Sequence, residues 1–221
     1  MATTKEVCEI IQKGLNDKLT DILNETPELV NGNTEQGISF LQFAVYCRNN
    51  FAVDLLKQKK SHIDLYEAAS IGDLDRVKSQ IENQPRLINS FAADGFTPLG
   101  LSCFFGHIDV AKYLIEKGAD TSQASDNPLK VAPIHSACTI SNYEIAELLV
   151  LNGADVNVRE QADYAPLHIA SISGQTKLAK LLIENGAEIN AKMTNGKTPL
   201  LLAEEKSFSE TADLIQKLGG K

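Results

Sequence analysis

The chain has no basic excess. It carries 21 Lys and Arg against 29 Asp and Glu, a formal net charge of −8. Nucleic-acid binding works by neutralising phosphates with a basic face, so this balance argues against a nucleic-acid partner. It argues equally against adsorption to an anionic membrane surface. No stretch approaches the ~20 apolar residues of a membrane-spanning helix, and the opening MATTKEVCEIIQKG shows no long apolar run of a signal peptide. A cytoplasmic protein is the expectation. The four cysteines, Cys8, Cys47, Cys103 and Cys138, form no CxxC and no Cys/His group at zinc-ligand spacing. A Gly-rich phosphate loop is also missing, since GQTKLAK from Gly174 lacks the spacing. No cofactor or metal is called for.

What is present is a repeat. Apolar residues make up 43% of the chain, enough for a core in one or two domains. The stretch Asp94 to Asp120, DGFTPLGLSCFFGHIDVAKYLIEKGAD, reads as one helix–turn–helix unit. Thr97 can cap a first helix, and Pro98 fits its first turn, where the N–H has no intrahelical partner. Gly106-His107 makes the turn. The second helix, about 108–117, sets Val110, Ala111, Leu114 and Ile115 on one face. Gly118 ends it in a left-handed conformation.

The prolines Pro98, Pro133, Pro166 and Pro199 recur at intervals of 35, 33 and 33, and Gly118, Gly153 and Gly186 follow at 35 and 33. A fixed period of this size means a stacked array, in which each unit buries its apolar face against its neighbours. Upstream, the chain overlays itself on a shift of 58 residues. Gly14, Pro27, Leu29, Asn31 and Gly37 then fall on Gly72, Pro85, Leu87, Asn89 and Gly95. Cys103 and Cys138 hold the same place in neighbouring units. Helices packed side by side lie roughly 8–10 Å apart, beyond the ~7 Å that a disulfide spans, so both read as small buried residues.

The segments APIHSACTISNYEIAELLVLNGADVNVRE (Ala132–Glu160) and APLHIASISGQTKLAKLLIENGAEINAK (Ala165–Lys192) closely resemble the ankyrin repeat, with its TPLH opening, Gly turn, Leu-rich second helix and GADVNA exit. The resemblance implies an all-α solenoid of about seven helix pairs joined by finger loops. A single domain is expected over 1–221, divided into 1–35, 36–62, 63–93, 94–129, 130–161, 162–193 and 194–221, with the first and last units as polar caps. Two junctions depart from the pattern. KQKKSHID, Lys57 to Asp64, is too short for a finger, which puts regular stacking and curvature in question there. QASDNPLKV, Gln123 to Val131, is two residues longer than the regular finger, which suggests that it projects. The terminal Gly219-Gly220-Lys221 is expected to fray.

Catalysis finds little support. The resemblance makes His135 and His168 structural residues that tie loops to their neighbours, and His107 a turn residue. A catalytic reading would need a nucleophile within reach of a base. Asp94, Asp120, Asp155 and Glu188 recur at unit boundaries. They match finger turns better than a Ca²⁺ site.

In ankyrin arrays the concave surface, made of finger tips and first helices, usually meets partners. The positions there least fixed by the fold carry Tyr46, Ile71, Phe96, Phe104, Phe105, Val131, Ile140, Tyr164 and Ile172. Clustered exposed apolar area marks interaction sites, and aromatics are enriched at interface cores. Packing between repeats is the competing explanation of the same residues. The expectation is a non-catalytic, monomeric module that binds a partner protein through its concave face. A small-molecule sensor and a self-associating scaffold stand as alternatives.

Overall fold

A computed structural model describes residues 2–221. The helices come in seven antiparallel pairs: α1 (Thr4–Lys13) with α2 (Asn16–Glu25), α3 (Phe40–Tyr46) with α4 (Asn50–Lys59), and α5 (Leu65–Ile71) with α6 (Leu74–Asn83). They continue with α7 (Pro98–Phe105) and α8 (Ile108–Glu116), α9 (Pro133–Thr139) and α10 (Tyr143–Leu151), α11 (Pro166–Ile172) and α12 (Thr176–Glu184), and α13 (Pro199–Glu205) and α14 (Ser209–Lys217). Among the described residues there is no β-strand beyond two isolated bridges, and no helix is long and apolar enough to cross a membrane.

The local signals act as their chemistry predicts. Thr97 Oγ1 accepts the Gly100 N–H at 3.0 Å, Pro98 occupies the first turn, and Gly106 and Gly118 close the two helices at φ 81° and 91°. The 58-residue echo is real. Its two copies of Pro each open a short 3-10 turn, Pro27–Asn31 and Pro85–Asn89. The odd-numbered helices stack in order, and alanines with no exposed surface (Ala44, Ala69, Ala137, Ala170) sit where they meet. One core cluster runs from Val7 to Ala187, with a smaller one of Leu200, Ala203, Ala212 and Ile215 at the far end.

A periodic side-chain ladder joins the units behind the second helices. The backbone N–H of Asp120, Asp155, Glu188 and Lys221 donates to Asn89, Ser122, Asn157 and Asn190 respectively, at 2.7–2.9 Å. Lys221 takes the place that acidic residues hold upstream. This corrects the expectation of a frayed end, because Asn190 also donates to the Gly219 carbonyl and Gly220 is buried.

At the short junction α4 ends at Lys59 and α5 starts at Leu65, with no hairpin between them. A buried ion pair stands there instead. Lys60 Nζ lies 2.8 Å from Glu67 Oε1, a close charge contact without hydrogen-bond alignment, with side chains only 7% and 2% exposed. Glu67 also closes a capping box with Asp64, accepting the Asp64 N–H at 3.0 Å while Asp64 accepts the Glu67 N–H at 2.9 Å. The flanking fingers meet across the gap: a Cβ on Gly37 would sit 3.4 Å from the Ala93 Cβ. The second helices do not follow. α2 packs on α4 and α6 on α8, but α4 and α6 lack comparable packing.

The long finger does not stand away from its neighbours. Ser125 N–H donates to the Val131 carbonyl, and Asn127 takes the Leu129 N–H while donating to the Asp94 carbonyl. On one side Asp126 N–H bonds the Gly95 carbonyl at 2.7 Å. On the other Gln161 N–H bonds the Leu129 carbonyl at 2.9 Å. The extra residues are absorbed in a closed turn with Leu129 exposed at its tip.

Candidate functional site

Side chains of α3 and α7 meet at the turn ends, on the side of the short junction. With fingers drawn together, α3 reaches α7 over the top of α5, whose residues Ala68, Ala69 and Ser70 are small and buried. Tyr46 then meets Phe105 edge-on at 5.0 Å between ring centroids and Phe104 at 5.8 Å. Phe104 and Phe105, adjacent in sequence, pack at 90° and 5.1 Å, and Phe96 backs Phe104 at 5.9 Å. Such pairs contribute about 0.5–1.5 kcal/mol each beyond area burial.

Asp94 locks this cluster to the finger. Its carboxylate accepts the Tyr46 hydroxyl at 2.7 Å and the buried Gln42 amide at 2.6 Å, and its other oxygen takes the Phe96 N–H at 3.1 Å. Burial, reinforced by the Asp94 charge, pushes the Tyr46 phenol well above its ordinary pKa. Asp94→Ala is expected to lower stability by about 2 kcal/mol, because it strands a buried amide and a hydroxyl. Chemical denaturation of the variant beside Asp94→Asn checks this, and the Asn variant should lose less.

The nine residues of the stripe thus separate. Tyr46, Ile71, Phe104, Phe105 and Ile140 line one depression of about 930 Å³ along the turn ends of α3, α5, α7 and α9. Val131, Tyr164 and Ile172 are half-buried outside it, with Tyr164 packed edge-on to His168 at 6.2 Å. Phe96 corrects the picture of an exposed stripe. It is 8% exposed and belongs to the core, packed beside Phe104 and over α7 at Gly100, where a Cβ would lie 3.3 Å from its ring. The other eight are half-buried rather than freely exposed.

The depression also has walls that the sequence reading passed over. α4 supplies Asn50, Val53, Asp54 and Lys57, one helical face at i, i+3, i+4 and i+7, the turns add Arg48 and His107, and the end of α9 adds the exposed Thr139. The signal was available in the short junction. A second helix without a regular neighbour has a side left to face something else.

Three of the four histidines are held by hydrogen bonds, and His62 is exposed at the short junction. His135 Nδ1 accepts the Ala132 N–H at 3.1 Å, so Nε2 carries the proton and faces the Tyr164 carbonyl at 3.2 Å. His168 repeats this with Ala165 at 3.1 Å and the Ala191 carbonyl at 3.0 Å. Burial pushes the His135 pKa down to about 4 and lowers that of His168. His107 Nε2 lies 2.9 Å from the Ser70 carbonyl. Asp120 and Asp155 carboxylates accept N–H groups two residues on, from Ser122 and Asn157, as finger turns require. Burial raises the thiol pKa of Cys138 and of Cys103, the latter to about 12, and all four cysteines are free thiols.

Comparison with known proteins agrees with this architecture. The sequence profile described as ankyrin repeats (3 copies) matches residues 65–160 and 134–220. The chain is 36% identical over 135 residues to alpha-latrocrustotoxin-Lt1a of Latrodectus tredecimguttatus, covering 58% of this chain and 9% of that protein. It is 31% identical over 107 residues to ankyrin repeat and SAM domain-containing protein 6 of Mus musculus, covering 48% and 12%. It is 32% identical over 94 residues to ankyrin repeat protein nuc-2 of Neurospora crassa, covering 42% and 9%. The chain thus spans only about a tenth of the length of these relatives. With the profile spanning residues 65–220 and seven stacked helix pairs, the chain belongs to the ankyrin-repeat family.

Proposed function

We propose that the chain is a non-catalytic binding module that takes a partner protein in the depression between the turn ends of α3 and α9. Ankyrin repeats in general mediate protein–protein interaction. The observation that carries the reading for this chain is the aromatic cluster at the depression. Tyr46, Phe104 and Phe105 are already packed on one another and pinned by Asp94. A partner side chain would meet rigid apolar walls and pay little ordering entropy. Aromatic residues in a concave, partly desolvated place are the usual anchors of an interface.

Thr139 and Asn50 are exposed residues lining the depression and outside the core, so they test it without disturbing the cluster. Thr139→Tyr and Asn50→Tyr should each leave the circular dichroism and melting temperature unchanged while blocking the cavity. In affinity capture from native extract with quantitative mass spectrometry, at least one protein held by the unmodified chain should fall about tenfold or more with both variants. Identical profiles for all three proteins would contradict the reading.

A further inference from the structure

We infer that the segment seated in this depression carries an Asp or Glu carboxylate next to a bulky apolar side chain, with Arg48 and Lys57 holding the carboxylate. The inference rests on the depression being the binding face. It starts from charge. The chain as a whole is at −8, yet the depression is lined by two cations, Arg48 and Lys57, and one carboxylate, Asp54. Neither cation has an ion-pair or side-chain hydrogen-bond partner among the described residues, Asp54 included. On an acidic molecule, a locally basic, apolar-walled recess is a place where a partner's carboxylate is attracted rather than repelled.

The placement of Arg48 adds to this. The equivalent turn residue is Gly14, Gly72, Gly106 or Gly174 in four units and Ser141 or Ser207 in two others, all at positive φ. Arg48 adopts φ 55° with a long side chain, a conformation that costs an L-residue roughly 1 kcal/mol. Its guanidinium is a planar fork matched to a carboxylate. Lys57, half-buried on the α4 face, brings a second cation along the wall formed with Val53. The apolar part of the ligand faces Ile71, Phe105 and Ile140.

The test is selection of a displayed random peptide library on the full chain, followed by fluorescence anisotropy with the selected peptides. Thr139→Tyr should abolish their binding. The peptides should be enriched in Asp or Glu beside Leu, Ile, Phe or Met. Affinity should fall about tenfold for Arg48→Gln/Lys57→Gln and by a similar factor when the peptide Asp or Glu becomes Asn or Gln. Making both changes should cost little more than either alone, and the wild-type affinity should weaken with added salt. Peptides blocked by Thr139→Tyr but free of acidic enrichment and indifferent to the double variant would overturn the inference and leave the depression as the binding face. Tighter binding of a phosphoserine version than of the Asp or Glu peptide would also overturn it. Peptides indifferent to Thr139→Tyr, or no peptide at all, would overturn the binding face and the inference together.

Discussion

Lys60→Met is expected to destabilise the fold by about 3–5 kcal/mol, the cost of leaving a buried charge without its partner. For a chain of this size that is a fall in melting temperature on the order of 10 °C. Lys60 and Glu67 are the most enclosed ion pair in the structure, with side chains 7% and 2% exposed. The remaining ion pairs lie at the surface, where each is worth roughly 0–1 kcal/mol. Glu67 cannot move away, because its other oxygen holds the Asp64 N–H and so the start of α5. Burial, and the Glu67 charge after it, raise the pKa of the Asp64 carboxyl, so the neighbour that shares the capping box is a second acid and not a compensating cation. Lys60→Met/Glu67→Gln should recover most of the loss, since the Gln side chain can still accept the Asp64 N–H without carrying a charge. If Lys60→Met alone melts like the wild type, the pair does not hold the junction.

Acid should weaken the fold well before the bulk of the carboxylates titrate. His135 has a pKa of about 4 in the folded chain, against an ordinary value of 6.5. Above pH 6.5 the residue is neutral in both states and the stabilisation is complete. As the pH falls below 6.5 the unfolded chain takes up a proton that the folded chain refuses, and stability declines until about pH 4, where both are protonated. The full loss is roughly 3 kcal/mol, of which about 2 is reached by pH 5. His168, also lowered by burial, acts in the same sense. Asp64 and Glu160, whose carboxyls burial pushes up, act in the opposite sense at the lower end of this range. Denaturant titrations at pH 7.5 and pH 5 on the wild type and His135→Gln separate the two. The variant should start less stable, having lost the Nε2 and Nδ1 bonds together, but should show a shallower pH slope. Equal slopes would mean that His135 does not drive the acid sensitivity.

Much of the fold was legible because repeats write themselves into sequence as spacing. Pro98, Pro133, Pro166 and Pro199 each open a first helix, and the glycines after the second helices take the left-handed conformation predicted for them. The absent hairpin was legible as a simple shortage of residues between Lys57 and Asp64. Its consequence was not. Whether α3 touches α7 depends on how far the flanking fingers close, a sum of small rotations that no local pattern records. Phe96 therefore looked like an exposed finger residue and proved to be a core one, while Tyr46 and Phe104 were read as separate members of a stripe and proved to be in contact. The cations of the depression were missed for a related reason. Arg48 and Lys57 look like ordinary surface residues until α4 is seen to lack the usual packing against α6. The C-terminal Lys221 shows the opposite limit. A Gly-Gly-Lys segment has no strong propensity, and contacts in space fix it: the recurring side-chain ladder through Asn190, and the Thr198 hydroxyl on the Lys221 carbonyl.

The central claim is that partners enter the depression between α3 and α9. It is tested most directly by placing a benzophenone amino acid at Thr139, inside the depression, and in a second protein at Leu151, 76% exposed at the end of α10. After irradiation in native extract, the Thr139 position is predicted to give discrete adducts that disappear when Asn50→Tyr is added, and Leu151 to give none in common with it. Adducts at Leu151 with none at Thr139 would contradict the account.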